Sequence, residues 1–224
     1  MPKGLHELCR RLDPDFDISR LCIKVPARWE GMQACRQLTK LGIKTLATTL
    51  HSLEQAILAA EAGCIYVSPF VHELRTFFND DYVDTNPILP LCTQIQQYYS
   101  QHSYPTRVKA CCLKSVDEAV QITGVHALTI GPSLVQALLD STPRSHNELS
   151  ALSSFENGTN AGGRNELEPR PRTSLIDDEA GYRNAYANCN NGAGKPKTED
   201  AIALFSEYQI KLEDMLGSAF SSQG

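Results

Sequence analysis

A single lysine, Lys24, lies inside the short apolar run Leu21-Cys22-Ile23-Lys24-Val25-Pro26. Such a run is typical of a buried strand. Burial disfavours the charged ammonium, so it lowers the pKa of a lysine and leaves some neutral amine near neutral pH. A neutral amine can attack a carbonyl carbon and form a Schiff base. The structural alternative is a lysine whose ammonium reaches the surface at the end of the strand.

Three further polar residues fall at or just after the carboxyl ends of other predicted strands: Thr48, Ser68 and Lys114. Each has a structural explanation, since threonine is common in strands, serine satisfies nearby backbone groups and a lysine after a strand is usually solvated. Catalytic residues of parallel barrels nevertheless cluster at the carboxyl ends of the strands. Taken with Lys24, these residues predict one site.

The chain between about residues 21 and 139 alternates predicted strands and helices. Ser52 and Ser115 each fit a capping box, and Asn86-Pro87 fits an N-cap followed by proline. Strand candidates are short and rich in Val, Ile, Thr or Leu, and they cover residues 21–26, 44–50, 64–70, 107–113 and 127–131.

Glycines and apolar spacing place the helices between these strands. Left-handed residues that end helices are predicted at Gly42, Gly63 and Gly124. The first helix should turn a helically spaced apolar set towards a sheet, namely Met32, Cys35, Leu38 and Leu41.

Two parallel architectures fit this alternation: an open doubly wound sheet, and a (β/α) barrel with outer helices. No glycine-rich phosphate loop follows any predicted strand, which weakens the nucleotide-binding sheet. The barrel therefore explains the strand-end residues better.

The composition is that of a soluble globular protein, with 42% hydrophobic and 21% charged residues in 224. A net charge of −5 gives a nucleic-acid partner no electrostatic support, and no apolar run is long enough to span a membrane. The eight cysteines include no CxxC pair or zinc-like spacing. They predict reduced thiols, no metal site and a cytoplasmic location.

Several stretches together resemble the transaldolase family. The strand and helix start Ile23-Lys24-Val25-Pro26-Ala27-Arg28-Trp29-Glu30-Gly31 is similar to the Schiff-base strand of that family. The second and third strands, the Asp178–Arg183 stretch and the helix ending at Met215-Leu216 are also similar. The resemblance covers about residues 15–140 and 174–217. It implies a class I aldolase barrel that transfers a dihydroxyacetone unit between sugar phosphates without a cofactor.

The resemblance also implies roles for individual residues. Lys24 would form the imine, Thr48 would hold a catalytic water or substrate hydroxyl, and Ser68 would bind the dihydroxyacetone part. Lys114 occupies a position where the family has a phosphate-binding cation. The family usually has a second phosphate-binding cation, an arginine, at the position of Glu73. Glu73 would repel phosphate, so His72 and Arg75 are the expected substitutes.

Three other departures from the family pattern bear on function. Leu46 replaces an asparagine, as in the related fructose-6-phosphate aldolases, and Cys112 stands where relatives carry serine in the substrate site. Only about twenty residues precede the lysine strand, so the family's three earlier βα units, with their acidic proton-transfer residues, have no counterpart. The expectation is an incomplete barrel of about five βα units, either a truncated chain or one that closes its sheet edges as a homodimer.

The C-terminal third completes a single domain over residues 1–224. Residues 141–173, rich in Ser, Asn, Gly and Pro, predict a disordered loop, and residues 174–217 predict closing helices. Residues 188–197 predict a second loop. The helix after it, from Thr198, should use Ile202, Phe205, Ile210, Leu212 and Leu216 as apolar contacts.

Three functions stay open. The first is transaldolase-type transfer, and the second is Schiff-base aldolase chemistry on another carbonyl substrate, which Leu46 and Glu73 favour. The third is a non-catalytic remnant, which the missing acidic residues favour.

Overall fold

Five strands form one parallel sheet whose order follows the chain. The computed structural model describes residues 2–153 and 170–221. Each strand pairs with the next: β1 (Cys22–Pro26), β2 (Lys44–Leu50), β3 (Tyr66–Pro69), β4 (Arg107–Ala110) and β5 (Ala127–Leu128). A doubly wound sheet reverses its strand order at a switch point, whereas consecutive order is that of a barrel wall. The predicted fold class, a partial (β/α) barrel, is therefore confirmed.

Helices follow the strands and continue beyond the sheet. Their bounds are α1 (Pro2–Leu12), α2 (Trp29–Lys40), α3 (Leu53–Glu61), α4 (Leu89–Gln101), α5 (Val116–Gln121), α6 (Pro132–Asp140), α7 (His146–Leu152), α8 (Glu179–Asn188) and α9 (Gly194–Ser221). Short 3₁₀ turns cover Ile18–Arg20, Leu74–Phe77 and Cys189–Gly192. Among the described residues, no helix is long and apolar enough to cross a membrane.

The core lies between the helices and one face of the sheet. Ala47, Val67 and Val108 lie on this face of β2, β3 and β4 and are almost fully buried. Because side chains alternate along a strand, their neighbours in each strand point to the other face, which is the wall of the barrel lumen. The core therefore buries the outside of the barrel wall.

The predicted ends of the first helices are largely correct. Gly42 and Gly63 have φ angles of 73° and 80°, which are left-handed as predicted. Met32, Cys35 and Leu38 are buried as predicted, but Leu41 follows the end of α2 and is 54% exposed. Gly124 was predicted to be left-handed and is not, since α5 ends earlier, at Gln121.

The start of α4 differs from the prediction at Asn86-Pro87. The helix begins at Leu89, with Pro90 in its first turn. The backbone N–H of Asn86 donates instead to Asp84 Oδ1 at 2.9 Å. A side-chain-stabilised turn has replaced the helix start, because Asp84 competes for that backbone donor.

The two predicted capping boxes form only in half. Ser52 and Ser115 each accept the backbone N–H three residues later, at 3.2 Å. Gln55 Oε1 accepts from the backbone N–H of His51, and Glu118 Oε2 accepts from that of Lys114. In both cases the side chain that should accept from the backbone N–H of the cap residue accepts from the residue before it.

The segments predicted as loops in the C-terminal third contain helices. Residues 146–152 form α7, which begins with a complete capping box at Ser145, and residues 154–169 lie outside the described residues. In the second predicted loop, α9 begins at Gly194 rather than Thr198. The early start is explained by Lys197 and Thr198, because both are buried against the barrel.

Candidate active site

Lys24 lies on the lumen face of β1 and is exposed, so the predicted burial is wrong. Its partner in the parallel register is Leu46 on β2. The ammonium Nζ lies 5.8 Å from the centroid of the Phe70 ring. The apolar neighbours of Lys24 in the sequence, Ile23 and Val25, point to the opposite face, which is why the run reads as buried. The amine is accessible to a carbonyl compound entering the lumen.

A bulge in β2 shapes the edge of the site beside Lys24. The register with β3 shifts by one residue between Ala47 and Leu50. Within the bulge Thr49 has a φ of 53°, a left-handed conformation that is rare for a β-branched residue. Bulges re-aim side chains near active sites. The Oγ1 atom of Thr48 is buried and has no hydrogen-bond partner among the described residues.

Ser68 and two cysteines form a buried polar group on the neighbouring strands. Ser68 Oγ donates to Cys111 Sγ at 3.2 Å, and Cys111 Sγ donates to the carbonyl of Pro69 at 3.4 Å. Contact with Cys111 and burial raise the pKa of the Cys112 thiol, and the Lys24 ammonium opposes that rise. Lys24 therefore lies near enough to this group to act on it electrostatically. Cys112, two residues after the end of β4, has a left-handed φ of 60°.

His51 belongs to the candidate site and was missed by sequence reasoning. It follows β2 directly, is 1% exposed, and neither ring nitrogen has a partner among the described residues. Burial and the nearby Lys197 ammonium lower its pKa to about 3, so the imidazole is neutral. Its ring meets Phe70 edge-on at 5.9 Å between centroids. The sequence did carry a signal for His51, a polar residue just after a predicted strand, and the same kind of signal identified Lys114.

Phe70 connects these groups beneath the start of α9. It packs with Cys111 and with Ala201 of α9 in one buried cluster. Phe205, one turn further along α9, meets the Phe70 ring edge-on at 6.4 Å. Thr198 Oγ1 donates to the carbonyl of Thr49 at 3.0 Å, which fixes α9 to the bulge. The first turns of α9 therefore cover the carboxyl ends of the strands.

The apolar residues predicted along the rest of α9 do not pack against the barrel. Ile210, Leu212 and Leu216 are 59%, 45% and 46% exposed. Among the residues of α9 whose burial is described, Ala201 is the last one that is buried, so the buried contacts lie in the first turns of the helix.

Glu73 does not face an open phosphate site. Lys197 Nζ lies 3.4 Å from Glu73 Oε1 and donates to both carboxylate oxygens of Asp84, at 3.0 and 3.2 Å. It also donates to the carbonyl of Asn86 at 2.7 Å, and Tyr82 donates its hydroxyl to Glu73 Oε2 at 2.7 Å. The side chains of Lys197 and Asp84 are 8% and 1% exposed. We call Glu73, Tyr82, Asp84 and Lys197 the α9 anchor.

The cations expected to compensate for Glu73 are engaged elsewhere. Arg75 donates to Asp200 at 2.7 Å. Lys114 Nζ donates to the carbonyl of Thr76 at 3.4 Å and lies 5.8 Å from the Phe77 ring centroid. His72 Nε2 lies 2.7 Å from Glu118 Oε1. Lys24, Ser68 and Cys112 thus come together, whereas Arg75 and Lys114 lie along the Leu74–Phe77 turn and contact protein groups.

Comparison with known proteins places the chain in a family. Residues 3–168 match the model of the Transaldolase/Fructose-6-phosphate aldolase family. Transaldolase NQM1 of Saccharomyces cerevisiae is 31% identical over 210 residues, which are 91% of this chain and 59% of that protein. Transaldolase 2 of Salmonella choleraesuis is 31% identical over 222 residues, 96% of this chain and 65% of that protein. A transaldolase of a Shewanella species is 37% identical over 142 residues, 61% of this chain and 45% of that protein.

The chain belongs to the transaldolase and fructose-6-phosphate aldolase family, as the sequence motifs predicted. It spans between 45% and 65% of the length of these relatives.

Proposed function

We propose that this protein is a transaldolase-type enzyme whose Lys24 forms a Schiff base with a dihydroxyacetone unit. The observation that carries the proposal is the position of Lys24: it is an accessible amine on the lumen face, beside Phe70 and the Ser68–Cys111–Cys112 group. Membership of the family supports the same chemistry.

The proposed reaction begins when the Lys24 amine attacks the ketone carbon of a ketose phosphate. Loss of water gives an iminium ion, which accepts the electron pair when the neighbouring carbon–carbon bond breaks. The aldose part leaves as an aldehyde, and the dihydroxyacetone unit stays on Lys24. Attack on a second aldehyde forms a new carbon–carbon bond, and water then releases the product. The substrates implied by the resemblance are sedoheptulose 7-phosphate with glyceraldehyde 3-phosphate, giving fructose 6-phosphate and erythrose 4-phosphate.

Polar groups around Lys24 suit the hydroxyls of such a substrate. Thr48 Oγ1 and the ring nitrogens of His51 are buried and unpartnered among the described residues. A buried polar group without a partner costs about 1–3 kcal/mol, which a ligand hydroxyl or water can recover. Ser68 already has a thiol partner, so it can exchange a weak sulfur bond for a substrate hydroxyl.

A transfer assay tests this function. The purified 224-residue chain is given fructose 6-phosphate and erythrose 4-phosphate, and sedoheptulose 7-phosphate is measured by mass spectrometry. We expect product from the wild type and none from Lys24→Met. Lys40→Met, which removes an exposed lysine from α2, is the matched control and should keep the wild-type rate. Equal product from Lys24→Met and the wild type would contradict the proposal.

A second candidate is a Schiff-base aldolase that acts on a different carbonyl substrate. The α9 anchor and the Arg75–Asp200 pair favour it, because both occupy groups expected at the phosphate end. This enzyme would release its aldehyde without needing an acceptor and would bind unphosphorylated ketones. Tight binding of fructose 6-phosphate together with no binding of such ketones would exclude it.

A further inference from the structure

Two adjacent cysteines, Cys111 and Cys112, follow β4 directly and contact one another. Their thiols share a side-chain hydrogen bond. In a regular strand neighbouring side chains point to opposite faces, so adjacent thiols do not meet. Because Cys112 has a left-handed φ of 60°, this alternation is broken at the pair. The local backbone therefore forms a vicinal dithiol.

The segment that contains and follows β3 holds this dithiol in place. Ser68 Oγ donates to Cys111 Sγ at 3.2 Å. The backbone N–H groups of Val71 and His72 donate to the carbonyls of Cys111 and Cys112 at 3.0 and 3.2 Å. The position of both cysteines is thus fixed by two neighbouring strands of the sheet.

The two thiols differ in reactivity. Burial raises the pKa of the Cys111 thiol, but its hydrogen bonds with Cys112 and Ser68 and the charges of Lys24 and Lys109 lower it by more. The hydrogen bond with Cys111 and burial raise the pKa of Cys112. Thiolate is the form that reacts with oxidants, so Cys111 is the more reactive of the two. Cys111 is 6% exposed and Cys112 is half-buried, so a molecule as small as hydrogen peroxide can approach from the side of Cys112.

A second pair of contacting thiols, Cys35 and Cys64, provides an internal comparison. Their side chains also share a hydrogen bond, and Thr45 Oγ1 donates to Cys64 Sγ at 3.4 Å. They are 0% and 2% exposed and belong to the main core cluster. An oxidant in solvent should therefore react with Cys111 and Cys112 and leave this core pair reduced.

We propose that Cys111 and Cys112 are a reversible oxidation site, at which hydrogen peroxide converts the two thiols into a vicinal disulfide. The Cys111 thiolate attacks one peroxide oxygen, the O–O bond breaks, and hydroxide leaves a sulfenic acid on Cys111. The Cys112 sulfur then attacks the Cys111 sulfur, the S–O bond breaks, and the hydroxyl leaves with the Cys112 proton as water. The two thiols lose two electrons in total, and the peroxide, with their two protons, becomes two molecules of water.

The geometry of adjacent residues makes this disulfide easy to reduce. Adjacent Cα atoms are about 3.8 Å apart, whereas the Cα atoms of ordinary disulfides are about 4.4–6.8 Å apart. Strained disulfides have higher reduction potentials than structural ones and are the labile, regulatory kind. A thiol reductant should therefore restore the dithiol.

Oxidation should also act on Lys24, a consequence that rests on the proposed function. The S–S bond removes the thiol hydrogen that Cys111 donates to the carbonyl of Pro69 at 3.4 Å. It also strains the backbone of Cys111, which pairs with Phe70 across the sheet. The Lys24 ammonium lies 5.8 Å from the centroid of the Phe70 ring. A shift of this ring would disturb the surroundings of the amine and slow imine formation.

Peptide mapping after treatment with graded hydrogen peroxide tests the oxidation site. Free thiols are alkylated with iodoacetamide before digestion. Trypsin cuts after Lys109 and Lys114, so both cysteines fall in one peptide, residues 110–114. The disulfide form of this peptide is lighter than the dithiol by two hydrogen atoms and takes up no alkyl group. We expect this form in the wild type, its loss after dithiothreitol, and alkylated thiols at Cys35 and Cys64.

Trapping of dihydroxyacetone on Lys24 tests the consequence. Sodium cyanoborohydride is the reductant, because it reduces imines and leaves disulfides intact. Each oxidised protein is compared with its own reduced sample, and circular dichroism establishes that each is folded. We expect oxidation to lower the wild-type adduct about tenfold, since a shift of about 1 Å near reacting groups can cost about a hundredfold. Cys22→Ser, which removes an exposed thiol from β1, should show the same loss, and Cys111→Ser should show none.

Two results would overturn the oxidation site. One is a folded wild-type chain whose 110–114 peptide stays fully alkylated or gains oxygen atoms in place of the disulfide. The other is oxidation of Cys35 and Cys64 to the same extent, which would show general thiol oxidation. Equal loss of trapping in Cys111→Ser and the wild type would refute the effect on Lys24. Absence of an adduct from the reduced wild type would refute the proposed function and leave the disulfide measurement unaffected.

Discussion

Replacing Lys197 by methionine removes the single cation of the α9 anchor. The ammonium lies within 3.4 Å of Glu73, contacts both oxygens of Asp84 and donates to a backbone carbonyl. Methionine keeps most of the side-chain volume and removes every one of these bonds. Asp84, whose side chain is 1% exposed, would then lose its ammonium partner and keep the His72 ring, whose Nδ1 lies 4.0 Å from Oδ2.

The structure sets the size of this effect. Breaking a buried ion pair from one side costs about 3–5 kcal/mol, because the remaining charge stays desolvated. Two backbone N–H groups, of Asn86 and Glu73, still stabilise the Asp84 carboxylate, so the lower part of that range applies. We therefore expect Lys197→Met to reduce the free energy of unfolding by about 3 kcal/mol near neutral pH.

The loss should shrink in acid. Burial raises the pKa of Asp84, but its backbone hydrogen bonds and Lys197 lower it by more. In the wild type this carboxylate therefore stabilises the fold above its unfolded pKa, and that stabilisation is lost as pH falls through the lowered folded value. In Lys197→Met the carboxylate is destabilising when charged, so protonation relieves the variant. The difference between the two proteins should thus be smaller at about pH 4 than at about pH 7.

Urea denaturation followed by fluorescence measures this difference. Trp29 is the only tryptophan in the chain, and its ring lies 5.7 Å from that of Tyr182, so it reports on the packing of α2 against α8. Lys195→Met is the control, since Lys195 lies on the same helix in an exposed pair with Glu199 at 4.0 Å and should cost less than about 1 kcal/mol. Equal losses from Lys195→Met and Lys197→Met would refute the account of the α9 anchor.

Three further predictions concern local structure and pH. Gly63→Ala and Gly42→Ala should each lose about 1–2 kcal/mol of folding stability, because both backbones are left-handed. Gly63→Ala should lose more, since its added Cβ would lie 2.7 Å from Thr39 whereas nothing lies within 4 Å at Gly42. Thermal unfolding of the two variants compares them. Gln55→Leu should cost about 2–4 kcal/mol in urea, because the buried N–H of His51 loses its acceptor and the carbonyl of Ala27 keeps just the 3.5 Å bond from the Tyr182 hydroxyl. The pKa of His51 is about 3 in the folded protein and 6.5 when the side chain is free, so between these values the unfolded chain binds one more proton. The free energy of unfolding should therefore fall by about 2–3 kcal/mol from pH 6.5 to about pH 4.5. His51→Phe should flatten that slope in urea titrations at the two pH values, and an unchanged slope would contradict the assignment.

The strands, and the positions of the candidate site residues on them, could be predicted from local pattern. Short apolar segments separated by helix start and stop signals give the order of the sheet, and the barrel rule places Lys24, Thr48 and Ser68 near its carboxyl edge. The exposure of Lys24 could not be predicted in this way. Ile23 and Val25 make the run apolar, but they face the helices, while the surroundings of Lys24 depend on residues across the lumen.

Residues distant in sequence decided the remaining differences. From the sequence, Glu73 is expected to repel phosphate. In the structure it instead lies beside Lys197, a residue far along the chain. The contact of Lys197 with Glu73 and that of Thr198 with the Thr49 carbonyl on β2 together hold the start of α9 against the barrel. The helix therefore begins at Gly194, in a segment whose glycine and proline predict a loop. Local propensity is a weak guide where tertiary contacts of this kind compete with it.

Borohydride trapping tests the central claim, that Lys24 is the Schiff-base lysine, most directly. The 224-residue chain is incubated with dihydroxyacetone, reduced with sodium borohydride and digested, and its peptides are analysed by mass spectrometry. We expect one reduced adduct on the Lys24 peptide, present in Lys40→Met and absent in Lys24→Met. A folded wild-type chain without an adduct, or with adducts spread equally over exposed lysines, would contradict it.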